Sequence, residues 1–239
     1  MSSNMKITRP KFITTYAVLC LEALQRSGLG KFIVLGGALG LSCYYEYRTT
    51  KDVDAWWTEE AGERDKERVI ALVGKTLETE GEVVVRRFGD VVSVDLRKED
   101  QVIFNFQIAA RSARLREPVT SDWSPVTVDS FEDLVASKMT AVIERGAPRD
   151  FLDIFEICKH TSITISKCWE LWKERETKKG NRSPDPRLGC EGLLLHLSRI
   201  EKLRPLSSID DPEQRTRAEE LRTWYRYEFC AGKIELDRR

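Results

Sequence analysis

Arg48-Thr49-Thr50-Lys51-Asp52-Val53-Asp54, read together with the upstream pair Gly36-Gly37, is the stretch that decides the fold of this chain. Side chains alternate faces along a β-strand, so Asp52 and Asp54 project to one side while Val53 points into the core. Two carboxylates on one face repel each other unless a cation lies between them. Mg²⁺ suits that position because it takes carboxylate oxygens together with the oxygens of a bound phosphate. Gly36-Gly37 ends a short apolar run, Lys31-Phe32-Ile33-Val34-Leu35, where a strand turns into a helix. Backbone N–H groups at such a turn face outward and suit an anion. The combination points to a metal-dependent site for a nucleoside triphosphate. The plain alternative for the Asp pair is a solvated strand edge.

Order and context separate those readings. Strand, Gly-Gly, amphipathic helix, Arg, Thr and acidic strand follow one another, an arrangement that resembles the polymerase-β-like nucleotidyltransferases. More narrowly it resembles the AbiEii-type toxin family, whose first motif reads roughly G-G, an apolar helix, then R-x-[ST]-x-D-x-D. Arg48, Thr50, Asp52 and Asp54 fill that pattern. A second match lies at residues 131–157, FEDLVASKMTAVIERGAPRDFLDIFEI. The same family shows an acidic E-D-L-x-A-x-K-x-x-A helix, an R-x-x-x-R-D turn and a helix beginning R-D-x-x-D. Lys138, Arg145, Arg149, Asp150 and Asp153 occupy those places, and the resemblance covers about residues 30–160.

The resemblance implies an α/β (α+β) fold: a minimal nucleotidyltransferase mixed sheet over residues 1–120, then a C-terminal α-helical domain over 121–239 that completes the active cleft. It implies Mg²⁺-dependent transfer of a nucleotide from an NTP to an acceptor hydroxyl, with RNA such as the tRNA 3′ end as acceptor. The chain would be the toxin of a toxin–antitoxin or phage-defence pair, with a cognate antitoxin as partner. Asp52 and Asp54 are the expected metal ligands. Gly36, Gly37, Arg48, Thr50 and Lys138 are expected to contact the nucleotide, Asp150 to take part in catalysis, and Asp153 to serve as a helix-start acid. A third acid is usual on a late strand, where this chain reads Phe104-Asn105-Phe106-Gln107-Ile108. An amide at Gln107 cannot be an anionic ligand, and Asp95 on the preceding strand is the candidate substitute. Two other functions stay open: transfer to an aminoglycoside-like small molecule, and a non-catalytic nucleotide-binding or partner-binding relic.

Composition narrows the field. The 239 residues are 41% hydrophobic and 33% charged, and Lys plus Arg balances Asp plus Glu at 39 each, so no global field recruits nucleic acid. Charge is uneven only locally, in residues 159–187 and around Arg111, Arg114 and Arg116, the expected basic rim for RNA. Six scattered cysteines without C-x-x-C, and only two histidines, argue against zinc, a disulfide framework and imidazole triads. They fit a reducing cytoplasm, and no apolar stretch is long enough to span a bilayer.

Along the chain, helices are expected at 10–26, at 38–47, and from an N-cap at Thr58 to about Thr79. Strands are expected at 31–35, 52–57, 82–88, 91–97 and 102–109, with hairpins at Gly89-Asp90 and Glu99-Asp100. Residues 111–129 read as an aperiodic connector. From Phe131 the pattern is helical almost to the end, punctuated by Pro148, Pro184, Pro186, Pro205 and Pro212. A last helix carries Trp224, Tyr225, Tyr227 and Phe229, and Trp169 and Trp172, three apart on one helix face, are read as packing residues.

Overall fold

The computed structural model describes residues 6–120 and 126–233, so part of the expected connector, Pro125 included, lies outside the described residues. The chain divides into two compact units, Met1–Leu134 and Val135–Arg239.

The first unit is built on a six-stranded mixed sheet in the order β3-β4-β5-β2-β1-β6. Its strands are β1 (Ile33–Leu35), β2 (Val53–Trp57), β3 (Glu82–Phe88), β4 (Val91–Lys98), β5 (Gln101–Ala109) and β6 (Thr127–Val128). β3, β4 and β5 form an antiparallel meander closed by the expected two-residue turns, Gly89-Asp90 and Glu99-Asp100. β5 then runs parallel to β2, which is antiparallel to β1. Helix α1 (Thr15–Arg26) and helix α3 (Glu63–Leu77) supply apolar faces to the sheet. Cys20, Leu24, Val69, Val73 and Leu77 join Val53, Val94, Leu96, Phe104, Phe106 and Ile108 in one core cluster. The alternation that buries Val53 and Ala55 leaves Asp54 and Trp56 on the opposite face.

Several boundaries differ from the expectation, each for a local reason. α1 starts at Thr15 because Thr14 accepts from the Ala17 N–H at 3.2 Å. Helix α2 is a short turn, Gly37–Ser42, ended where the N–H groups of Tyr44 and Tyr45 both return to the Leu41 carbonyl. Thr58 caps no helix. Its N–H bonds the Phe32 carbonyl at 3.0 Å and prolongs the β1–β2 pairing, so α3 begins after Gly62 with Glu63 and Asp65 in its first turn. The connector contains β6, which pairs in parallel with β1.

The second unit is helical. Helix α4 (Phe131–Glu144) begins in the first unit and continues into the second, which also holds α5 (Pro148–His160), α6 (Ile165–Lys178), α7 (Pro186–Leu203) and α8 (Pro212–Trp224). Gly146, at φ +58°, turns the chain out of α4, and Pro148 opens α5. Trp169 and Trp172 stack edge to face at 5.6 Å, and the Tyr225 hydroxyl donates to the Phe151 carbonyl at 2.8 Å. These aromatics are core, with Tyr227 the exposed exception. Among the described residues no helix is long and apolar enough to cross a membrane.

Candidate active site

The polar face of the sheet is set by strand register. Asp54 lies opposite Gln107 on β5, and Gln107 opposite Ser93 on β4. One pleat along, Asn105 lies opposite Asp95. Asp52 immediately precedes β2, in the extended segment that follows Thr50. The Thr50 hydroxyl donates to the Asp52 carbonyl at 3.4 Å, which braces the approach to the strand. The Arg48 guanidinium donates to the Thr49 carbonyl and lies 5.9 Å from the centre of the Tyr47 ring.

Gly36 and Gly37 do two different jobs. A Cβ on Gly37 would overlap the Asp54 carboxylate and sit 2.6 Å from the Asp54 Cβ. Gly37 also holds φ +56°, a left-handed conformation that disfavours side chains. A Cβ on Gly36 would collide with the Trp56 indole nitrogen and come within 3.0 Å of Cε2. The Gly36 N–H is used by the fold, bonding the Asp54 carbonyl at 2.9 Å. The donors at the start of α2 that have no intrahelical partner are therefore those of Gly37, Ala38 and Leu39. Among the described residues, the Asp54 carboxylate has neither a hydrogen-bond nor an ion-pair partner.

Asp95 has a different setting. It is fully buried, accepts from Ser93 Oγ at 2.9 Å and from Asn105 Nδ2 at 2.5 Å, and forms an ion pair with Arg86. It stands two strands from β2, about 10 Å at the usual strand spacing. A metal held between Asp52 and Asp54 would be beyond its reach. Among the described residues no three His, Cys, Asp or Glu side chains gather where they could hold a metal.

A buried network beside the sheet escaped the sequence reading. Trp56 Nε1 donates to Asp129 Oδ2 at 2.9 Å, and Arg111 binds both Asp129 and Asp133, the latter at 3.0 Å. Asp133 also accepts from the N–H groups of Leu115 at 2.8 Å and Arg116 at 2.9 Å and from Ser130 Oγ at 2.7 Å. Burial pushes the Asp129 carboxyl above its ordinary 3.8, and Arg111 pulls it back down. Arg111 is thus an internal clamp rather than part of an RNA-facing rim. Arg114 pairs with Glu59 and Glu117. The available signal was Ser130-x-x-Asp133, a capping-box spacing at the start of α4. The Asp133 N–H does bond Ser130 Oγ, at 3.0 Å.

In the second unit the second motif gathers around one lysine. Lys138 is buried on α4, with Nζ 2.5 Å from Asp153 Oδ2 and 3.9 Å from Asp150 Oδ1. Arg145 grips Asp150 through two parallel bonds of 2.7 and 2.8 Å. Lys138, Arg145, Asp150 and Asp153 therefore converge, while Arg149 stays exposed. Asp153 lies beyond the first turn of α5, and its carboxylate answers Lys138.

Residues 19–225 match the family described as "Nucleotidyl transferase AbiEii toxin, Type IV TA system". The chain belongs to the AbiEii nucleotidyltransferase toxin family. That membership accounts for the order of the two motifs and sets the chain among the toxins of type IV toxin–antitoxin systems, which act with a cognate antitoxin. No curated protein matches it. Among solved structures it is similar to an antigenic nucleotidyltransferase-like protein from Paracoccidioides brasiliensis, at 14% identity and a TM-score of 0.40, over 86% of this chain and 94% of that one.

Proposed function

We propose that this AbiEii-family chain transfers a nucleotide from an NTP to an RNA hydroxyl, such as the 3′ end of tRNA, in a Mg²⁺-dependent reaction. The observation that carries the reading is the unanswered Asp54 carboxylate, held against Gly37 where a side chain at 37 would displace it. The donor set fits a hard ion: two protein carboxylates, Asp52 and Asp54, leave the other positions to phosphate oxygens and water, as Mg²⁺ prefers. Gln107 adds at most a neutral carbonyl oxygen, so the protein's share of negative charge comes from the Asp pair. When bound, Mg²⁺ supplies charge neutralisation on the triphosphate and lowers the pKa of a coordinated hydroxyl.

The chain's own residues do the rest. Asp52 and Asp54 fix where the cation is bound. The N–H groups at the start of α2 and the side chains of Arg48 and Thr50 orient phosphate oxygens. The family motif also assigns a part to Lys138 and Asp150, which in the second unit are held in one ion-pair cluster with Asp153 and Arg145. Arg145 holds Asp150 in place through its two-bond grip. Incubation with each labelled NTP, Mg²⁺ and total RNA tests the reading. Label is expected on RNA with at least one nucleotide. Label on an aminoglycoside-like acceptor alone would change the substrate class, and no transfer with any nucleotide would refute the enzyme.

A further inference from the structure

Among the described residues, one edge of the sheet is short and the other is open. β6 has two residues and is flanked by an antiparallel bridge between Val119 and Val128. β3 has seven, with Val85 44% and Phe88 88% exposed. An edge of that length presents unpaired backbone groups to whatever can pair with them.

Which groups are unpaired follows from the hairpin. A two-residue turn at Gly89-Asp90 makes Phe88 and Val91 a pair that exchanges both backbone bonds. Arg86, Val84 and Glu82 then also direct their N–H and C=O groups toward β4. Val83, Val85 and Arg87 direct theirs outward, to the open edge.

The sequence of that edge is complementary to itself. In a two-fold antiparallel pairing the residues facing each other lie on one face of the joined sheet, and an outward-directed residue must meet another outward-directed one. Centring the pairing on Val84 satisfies both conditions. It sets Glu82 opposite Arg86 of the second copy, Val83 opposite Val85, and Val84 opposite Val84. Opposite charges and branched apolar pairs are the favourable cross-strand partners. Shifting the centre to Val85 keeps one apolar pair, Val85 opposite Val85, but sets Glu82 against Phe88, Val83 against Arg87 and Val84 against Arg86, which loses the charge pairs and the Val83–Val85 pairs. Arg86 is available for Glu82, because its side chain is 59% exposed although it is paired with Asp95.

We propose that β3 is a self-pairing edge through which two copies of this chain form a symmetric dimer, joining their sheets with Val84 on the two-fold axis. The contact is small, so the dissociation constant is expected on the order of 10 µM. Sedimentation equilibrium of the full chain should show a reversible monomer–dimer mixture in that range. Glu82→Arg places like charges opposite each other and should weaken the dimer about 10-fold or more. Val85→Pro removes an outward N–H while sparing the β3–β4 ladder, and should give a monomer with an unchanged far-UV spectrum. Val84→Cys should cross-link two chains under oxidised glutathione, well ahead of wild type and of Val102→Cys, an exposed control on β5. A wild-type chain that stays monomeric to about 100 µM, with Val84→Cys cross-linking no faster than Val102→Cys, would overturn the proposal. In that case Arg86 and Arg87 act as guards that keep the edge unpaired.

Discussion

Asp54 and Asp133 are both acids of the first unit, and the structure treats them in opposite ways. Asp133 is fully buried and answered by Arg111, Ser130 and two backbone N–H groups. Asp54 is partly exposed, its carboxylate has no partner among the described residues, and it presses against a glycine that cannot carry a side chain there. In the second unit Asp150 and Asp153 are both answered, by Lys138 and Arg145. In the first unit, the carboxylate with internal partners secures the fold, and the one left without them is available to an external cation. The sequence makes these acids look alike; their partners tell them apart.

The comparison is broken most sharply by removing an answer. Arg111→Ala leaves Asp129 and Asp133 buried without their cation, and should cost about 3–5 kcal/mol of unfolding free energy in urea titration. A loss under about 1 kcal/mol would mean that the clamp is solvated and the contrast false.

Asp54→Asn should do the reverse. Nucleotide transfer is expected to fall about 100-fold or more, because a metal ligand carries several kcal/mol of transition-state stabilisation. Unfolding should be nearly unchanged, since no internal partner is lost. A variant with near-full transfer would take Asp54 out of the reaction, whatever its geometry.

Trp56→Phe should cost about 1–2 kcal/mol, the loss of an indole donor to a buried carboxylate. The same variant should leave Mg²⁺-dependent transfer within a few-fold of wild type. A much larger drop in rate would show that the Trp56–Asp129 bond positions Asp54 on the same strand.

The smallest effect is a pH dependence. The Asp129 carboxyl is raised above 3.8 by burial, with Arg111 lowering it. The folded state therefore holds that proton more tightly than the unfolded one. Stability from this group rises as pH falls through the folded pKa toward 3.8 and is lost as pH rises above it. Removing Arg111 raises the folded pKa further and widens that window. The deficit of Arg111→Ala should thus be largest at neutral pH and shrink toward about pH 4.5. A deficit that grows on acidification would contradict the assignment.

Much of this was legible beforehand because it is local. Alternation marked β3, β4 and β5, and the Gly89-Asp90 and Glu99-Asp100 dipeptides placed their turns. Gly36-Gly37 and Asp52-Val53-Asp54 marked the polar face, since a period of two fixes which side chains share a side. Thr58 misled because a hydroxyl before two glutamates suits a helix start, yet its N–H was claimed by the Phe32 carbonyl across the β1–β2 pair.

By itself, then, the sequence determined the strand pattern, the helical second half, the family and the acids to watch. Tertiary structure decided the identity of each acid's partner. Arg111 looked like a surface cation until the chain from residue 111 to residue 133 closed on itself, and nothing in the sequence signalled that α5 would bring Asp153 to Lys138. It also decided that Asp95 belongs to Arg86, Ser93 and Asn105, because register across three strands set those side chains together. Charge pairing is non-local: a carboxylate's role depends on what the fold brings within about 4 Å of it, and no window of sequence contains that distance.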